Sequence, residues 1–393
     1  MGVLVASSEP LDQYIVRNPQ FFMQRSPERA CIDPDQLLIL MDHVRCAAFE
    51  LPFQEHEHFG GQPLAEMLAY LESQGVLHHE GNQWHWIADS YPANSVSLRS
   101  VAEGNFVVVD TTDGQQKVIA EVDYGSAALT LYEGAIYLIQ ASPWQVERLD
   151  WTGRKAFVTK TKADYYTDAI DYTKLKILES FEDERQPNSV CARGEVHLVR
   201  RVAGYKKIRY YTHENVGYGN VNLPDHEMHT TALWWQVDPQ TLDGTFASRE
   251  QALDGFLGAA YALHHVAALL SLSERQDLGR AVGDAGGTWF ATVDAKGRGS
   301  AKAFNGEEAT LTDRRFAPTL FLYDNYPGGI GLTAPLYDLR KELIPRTRDL
   351  VTACSCKLGC PACVGPILAS DEVRGYAPKQ ATLKVLQLLD ATG

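Results

Sequence analysis

Between residues 36 and 51, apolar side chains recur at Leu37, Leu40, Met41, Val44, Ala47, Ala48 and Leu51, the spacing of one helical face. Pro34-Asp35 opens this run and Pro52 closes it. The same spacing returns at Leu64, Met67, Leu68 and Leu71, with Pro63 near the first turn and Gly75 placed to stop the helix. Over residues 76–87 the pattern changes to strand, turn, strand around Gly81-Asn82. Helix, helix and a two-stranded wing is the order of a winged-helix module, expected here over residues 1–92. A generic helical subdomain with a hairpin would show the same pattern.

From about Val96 to Val237 the period is two, broken by turns. Residues 106–110 and 117–122 flank Thr112-Asp113-Gly114, residues 135–139 form another strand, and 144–149 and 155–160 flank a turn at 151–154. Residues 196–202 and 207–212 flank Ala203-Gly204 and predict a further hairpin. Such serial hairpins predict an antiparallel barrel or sandwich over residues 93–244. From Ser248 the helical period returns. Residues 251–272 carry Ala252, Leu253, Phe256, Leu257, Ala260, Leu263, Val266, Ala267 and Leu270, a helix apolar enough to be buried. Residues 321–332 read as a strand ending in a glycine-rich turn, followed by a helix that Pro345 interrupts or restarts. A last amphipathic helix is expected over 378–389. The fold class is therefore α+β multidomain: winged helix, β-rich middle domain and a mostly helical domain over 245–393.

The 393 residues carry a net charge of −14, so the overall field does not favour nucleic acid. One local exception stands out. Arg193, Arg200, Arg201, Lys206, Lys207 and Arg209 face a single acid, Glu195, with Tyr205, Tyr210 and Tyr211 interleaved. Lysines and arginines neutralise phosphates and tyrosines stack on bases, so Arg200, Arg201, Lys206, Lys207, Arg209, Tyr210 and Tyr211 are candidate nucleic-acid contacts. Alternating charges on a solvent-facing strand pair are the plain alternative. No stretch approaches the roughly 20 apolar residues of a membrane span, and the N-terminus lacks a basic signal-peptide region. A cytoplasmic protein is expected.

The most specific chemistry is Cys354-Ser-Cys356-Lys-Leu-Gly-Cys360-Pro-Ala-Cys363. Four thiols in ten residues suit tetrahedral Zn²⁺ at about 2.3 Å per Zn–S bond. An iron–sulfur cluster, a disulfide pair or free thiols remain alternatives, although Cys31, Cys46 and Cys191 are too scattered for a disulfide framework. A closed four-cysteine set leaves no open coordination position, so the metal would be structural. The Gly328-Gly329-Ile330-Gly331 turn could cradle a phosphate or serve plain geometry. His226-Glu227-Met228-His229 is one residue short of a zincin motif and reads as a loop, His56-Glu57-His58 as a polar connector, and His264-His265 as packing. No P-loop or nucleophile elbow is present, and no catalytic residue is assigned.

Residues 8–15, Asn18-Pro19 and 46–52 resemble the region just after the motor domains of bacterial superfamily-two DEAD/DEAH-box DNA-repair helicases of the MrfA-like type. Residues 322–332, the four cysteines and Gly365-Pro366 resemble the MrfB-associated zinc-binding (MZB) domain of the same helicases. The resemblance covers nearly the whole chain and implies its C-terminal, non-motor region. It implies a role in binding and guiding single-stranded or forked DNA, with ATP used only through motor domains absent from this sequence. The implied partners are DNA, those motor domains in cis or trans, and a nuclease. A zinc-stabilised protein-interaction scaffold and a winged-helix transcription regulator remain as alternatives.

Overall fold

The computed structural model describes residues 3–7, 10–24, 33–96, 104–212, 214–284, 292–293, 299–300, 318–365 and 375–390. Cys31, Ser8, Glu9 and Pro366 lie outside the described residues.

The winged helix forms where the apolar pattern placed it. Gln36 caps the helix Leu37–Glu50 by accepting the Ile39 amide at 2.7 Å. The second helix, Ala65–Ser73, is followed by Gly75 at φ +70°, a backbone state that favours glycine. Strands Leu77–Glu80 and Gln83–Trp86 pair antiparallel, and the short strand Phe53–Gln54 adds to them. Leu40, Val44, Leu64, Leu68, Leu71 and Leu77 fill the core between helices and wing.

A five-stranded sheet follows, in the spatial order Lys117–Asp123, Asn105–Asp110, Lys155–Lys160, Ser142–Asp150 and Ile136–Ile139. All pairs are antiparallel except Lys155–Lys160 against Asn105–Asp110. Phe106, Val108, Val146, Ala156 and Val158 form its core.

The second sheet is larger and departs from expectation. Residues 165–185 and 189–209 form two strands of 21 residues each, paired along their length. Ala203-Gly204 is therefore not a hairpin turn: the strand Ser189–Arg209 continues through it, with a bulge at Ala203 in its pairing to residues 165–185. Gly204 is needed for proximity, because a Cβ there would lie 2.7 Å from the Gly219 carbonyl of the neighbouring strand Asn215–Asn220. Beyond the ribbon come His226–Val237, Pro318–Asp324 and Leu278–Asp284. The sheet coils far enough that Leu278–Asp284 returns to touch Tyr165–Arg185. Val196, Leu198, Ala232, Trp234, Phe321 and Tyr323 fill its inside. Its last two strands come from beyond residue 245, so the β-rich and helical segments share one sheet.

The outer face of that sheet, through Leu233, Trp235, Leu320 and Leu322, buries the helix Arg249–Ser271. By length and composition alone this 23-residue helix could cross a membrane, contrary to the reading of the sequence, but 78% of its apolar window is buried in the protein. Gly255 lets the helix Pro378–Leu388 lie against it, since a Cβ there would meet the Ala381 carbonyl at 2.7 Å. Pro345 does not break the chain: it sits inside the helix Arg340–Ala353. Two short helices near the start, Pro10–Arg17 and Pro19–Gln24, carry no strong sequence signal.

A four-cysteine metal centre and its surroundings

The helix Arg340–Ala353 ends at Cys354, whose extended backbone turns the chain into the cysteine loop. The four sulfurs converge. Sγ–Sγ distances are 3.6 Å for Cys354–Cys356, 3.5 Å for Cys354–Cys360, 3.4 Å for Cys356–Cys363 and 3.7 Å for Cys360–Cys363. Regular tetrahedral ligation at the Zn–S bond length requires sulfurs about 3.8 Å apart. The donor set, its spacing and its closure therefore fit a tetrahedral zinc ion. The same four residues are the one metal-ligating group of this kind among the described residues.

The surroundings hold the loop in place. The Cys363 and Val364 amides both donate to the Cys360 carbonyl at 3.0 Å. Gly359 adopts φ +125°, and a Cβ there would press on Val364. Lys379 is only 6% exposed, yet its ammonium donates to the carbonyls of Cys354 at 2.6 Å and Cys356 at 3.1 Å. Burial pushes the Cys363 and Cys360 thiols up. Burial also acts on Cys354, but the Cys356 amide and the neighbouring sulfurs outweigh it and hold that thiol down at about 7.

The candidate nucleic-acid residues do not share one surface. Arg200 points inward, donating to the Tyr323 hydroxyl at 3.1 Å and Asn325 Oδ1 at 2.8 Å and lying 3.7 Å from Asp171. Arg201 makes a two-pronged contact with Asp225, both bonds at 2.7 Å. Arg209 lies between Asp164 at 3.5 Å and Glu214 at 3.2 Å. Lys206 faces Asp168 across the ribbon, and Lys207 lies over the Tyr165 ring at 5.3 Å. Neighbouring residues on a strand point to opposite faces, so Lys206 and Lys207 are separated. Tyr205 is buried against Tyr132, Tyr210 packs near Tyr166, and Tyr211 stands 97% exposed.

The histidines also resolve. His226-Glu227-Met228-His229 is strand, not loop, and residues three apart on a strand face opposite sides, which removes a shared metal site. His229 instead meets Glu195 at 3.1 Å. His264 is buried, with Nε2 2.7 Å from the Leu278 carbonyl. The glycine-rich turn wraps the protein's own carboxylate. Asp324 accepts from Thr231 at 2.7 Å, and the Ile330, Gly331 and Leu332 amides of the turn favour its charge, so the turn faces a carboxylate of the protein itself. Burial pushes Asp324 up to about 6 despite those bonds. Gln36 of the winged helix donates to the Pro327 carbonyl beside this turn at 3.1 Å.

The chain thus joins a winged helix, a β-rich body and a four-cysteine domain. Residues 259–364 match the MrfA Zn-binding domain, and residues 32–101 match the winged helix domain of ATP-dependent helicase HRQ1. The ATP-dependent helicase YprA of Bacillus subtilis is 37% identical over 389 residues, covering 99% of this chain and 47% of its own length. The helicase HRQ1 of Saccharomyces cerevisiae is 26% identical, covering 93% of this chain and 33% of its own. Among solved structures, the helicase MrfA aligns with TM-score 0.61 at 32% identity, over 97% of this chain and 48% of that one. MrfA bound to DNA aligns with TM-score 0.55 at 35% identity, over 98% of this chain and 47% of that one. The chain is a homologue of the MrfA-like helicases and bears their winged helix and MZB domain. It spans less than half the length of these relatives.

Proposed function

We propose that this chain binds single-stranded or forked DNA and guides it beside an ATP-driven helicase motor, with zinc fixing the fold of the cysteine domain. The supporting observation is the end of the long ribbon. Lys207 and Arg209 alternate along one strand face there, and the adjoining Tyr211 ring is almost fully exposed. Cations set beside a free ring suit phosphates and an unstacked base. A relative crystallised with DNA adds weight. Arg200 and Arg201 act in this reading as struts of the ribbon, and Lys206 contributes from its other face. Zinc, held by Cys354, Cys356, Cys360 and Cys363, supplies folding free energy and no chemistry.

The test is fluorescence anisotropy of labelled single-stranded and forked DNA across a salt series. Binding should weaken linearly in log K against log salt, with a shallower slope in Lys207→Glu and weaker affinity in Tyr211→Ala. DNA affinity unchanged in both variants would overturn the ribbon assignment.

A further inference from the structure

The winged helix is strongly acidic. Residues 33–96 carry ten aspartates and glutamates against one lysine or arginine, Arg45, and that arginine lies 3.8 Å from Asp42. At one end of this domain, apolar side chains stand open. Phe49 is 43% exposed, Leu51 74%, Ile87 55% and Tyr91 55%. The Phe49 ring makes edge contacts with Trp86 at 5.8 Å and Tyr91 at 5.2 Å, and Leu51 and Ile87 lie within two residues of Phe49 and Trp86 in the chain. Glu50 and Asp89, both exposed, adjoin this patch in the chain. Apolar side chains exposed together beside Glu50 and Asp89, with Arg45 the one cation nearby and set against Asp42, suit a protein of opposite sign. The acidic balance of the domain disfavours a phosphate backbone as the occupant.

We propose that Phe49, Leu51, Ile87 and Tyr91, rimmed by Glu50 and Asp89, form a docking surface for a basic amphipathic segment of a partner protein. The winged helix then works as a protein adaptor, and any DNA contact is made elsewhere on the chain. The inference does not depend on the ribbon reading.

The experiment uses the full chain and a fluorescein-labelled helical peptide of leucine and lysine, with a leucine–glutamate peptide as counterpart. The leucine–lysine peptide should bind and the leucine–glutamate peptide should not. Leu51→Ser with Ile87→Ser should weaken binding at least tenfold, as should Glu50→Lys with Asp89→Lys. Both positions of the first pair are exposed, so thermal melting should be unchanged. Glu121→Lys with Glu147→Lys, on the five-stranded sheet, serves as the control for general charge attraction and should leave affinity within about twofold. Equal losses in the control, or no loss in the Leu51 and Ile87 variant, would overturn the proposal. So would labelled DNA that loses binding on the Leu51 and Ile87 substitutions.

Discussion

The Lys379 ammonium lies 2.6 Å from the carbonyl oxygen of Cys354, at the point where the helix Arg340–Ala353 gives way to the metal loop. Four thiolates around a divalent cation carry a net negative charge, and a buried ammonium on the same loop offsets part of it. Lys379→Met keeps the apolar stem but leaves the Cys354 carbonyl without its donor. The expected result is a loss of about 2 kcal/mol of stability and faster zinc release to a chelator. Metal release timed with a chromogenic chelator checks this; an unchanged rate would reduce Lys379 to a packing residue.

Zinc content should be one ion per chain by elemental analysis, falling sharply in Cys363→Ser, whose side chain is fully buried at the centre of the cluster. Chelation should loosen the helices Arg340–Ala353 and Pro378–Leu388 first and leave the winged helix folded. Hydrogen exchange resolves the two regions. Full zinc content in the variant would sink the four-cysteine assignment.

Arg200 and Arg201 are neighbours in sequence and opposites in energy. Arg200 is nearly enclosed, and Arg200→Ala strands Asn325 and the Tyr323 hydroxyl; roughly 3 kcal/mol of stability should go. Arg201 pairs with Asp225 in solvent, and its loss should cost about 1 kcal/mol or less. Chemical denaturation of the two variants gives the comparison directly.

How much of this was legible follows from what each signal depends on. The winged helix, the strands around 105–110 and 155–160 and the helix Arg249–Ser271 rest on local periodicity, and residues 37–50 and 155–160 folded as their patterns indicated. The cysteine spacing was equally local. The ribbon was not legible, because Gly204 means a turn in most chains and here permits a close approach to Gly219, a tertiary reason. The basic run was legible only as a count of cations, for a related cause. Its counter-charges, Asp171 on the neighbouring strand and Asp164 and Asp225 just ahead of strands, are brought up by the fold, so sequence does not show the pairing.

Acid should destabilise the fold through the central helix. His264 is pushed down to about 4 and His265 to about 3, by burial first and then by nearby charge, Arg280 for His264 and His264 ahead of Arg280 for His265. The unfolded chain therefore binds more protons between those values and about 6.5, so this stability is present at neutral pH and lost as pH falls. Asp324, raised to about 6, and Asp168, also pushed up by burial, work the other way over part of the same range, while His226, pushed down by burial, adds to the two imidazoles of the helix. Melting temperature should drop between pH 7 and pH 4.5. His264→Gln should flatten the slope, which differential scanning calorimetry across pH would register.

The strand Pro318–Asp324 pairs Tyr323 with Ala232 and Leu322 with Leu233, partners about ninety residues earlier. On a ribosome, the exposed edge of His226–Val237 must wait until that distant strand has emerged, and the metal ligands follow later still. Long-range pairings of this kind close slowly and leave strand edges open to other chains meanwhile. The folding of this protein is thus a race between synthesis and aggregation, in which the rate of translation past residue 324 sets how long the sheet stays unsealed.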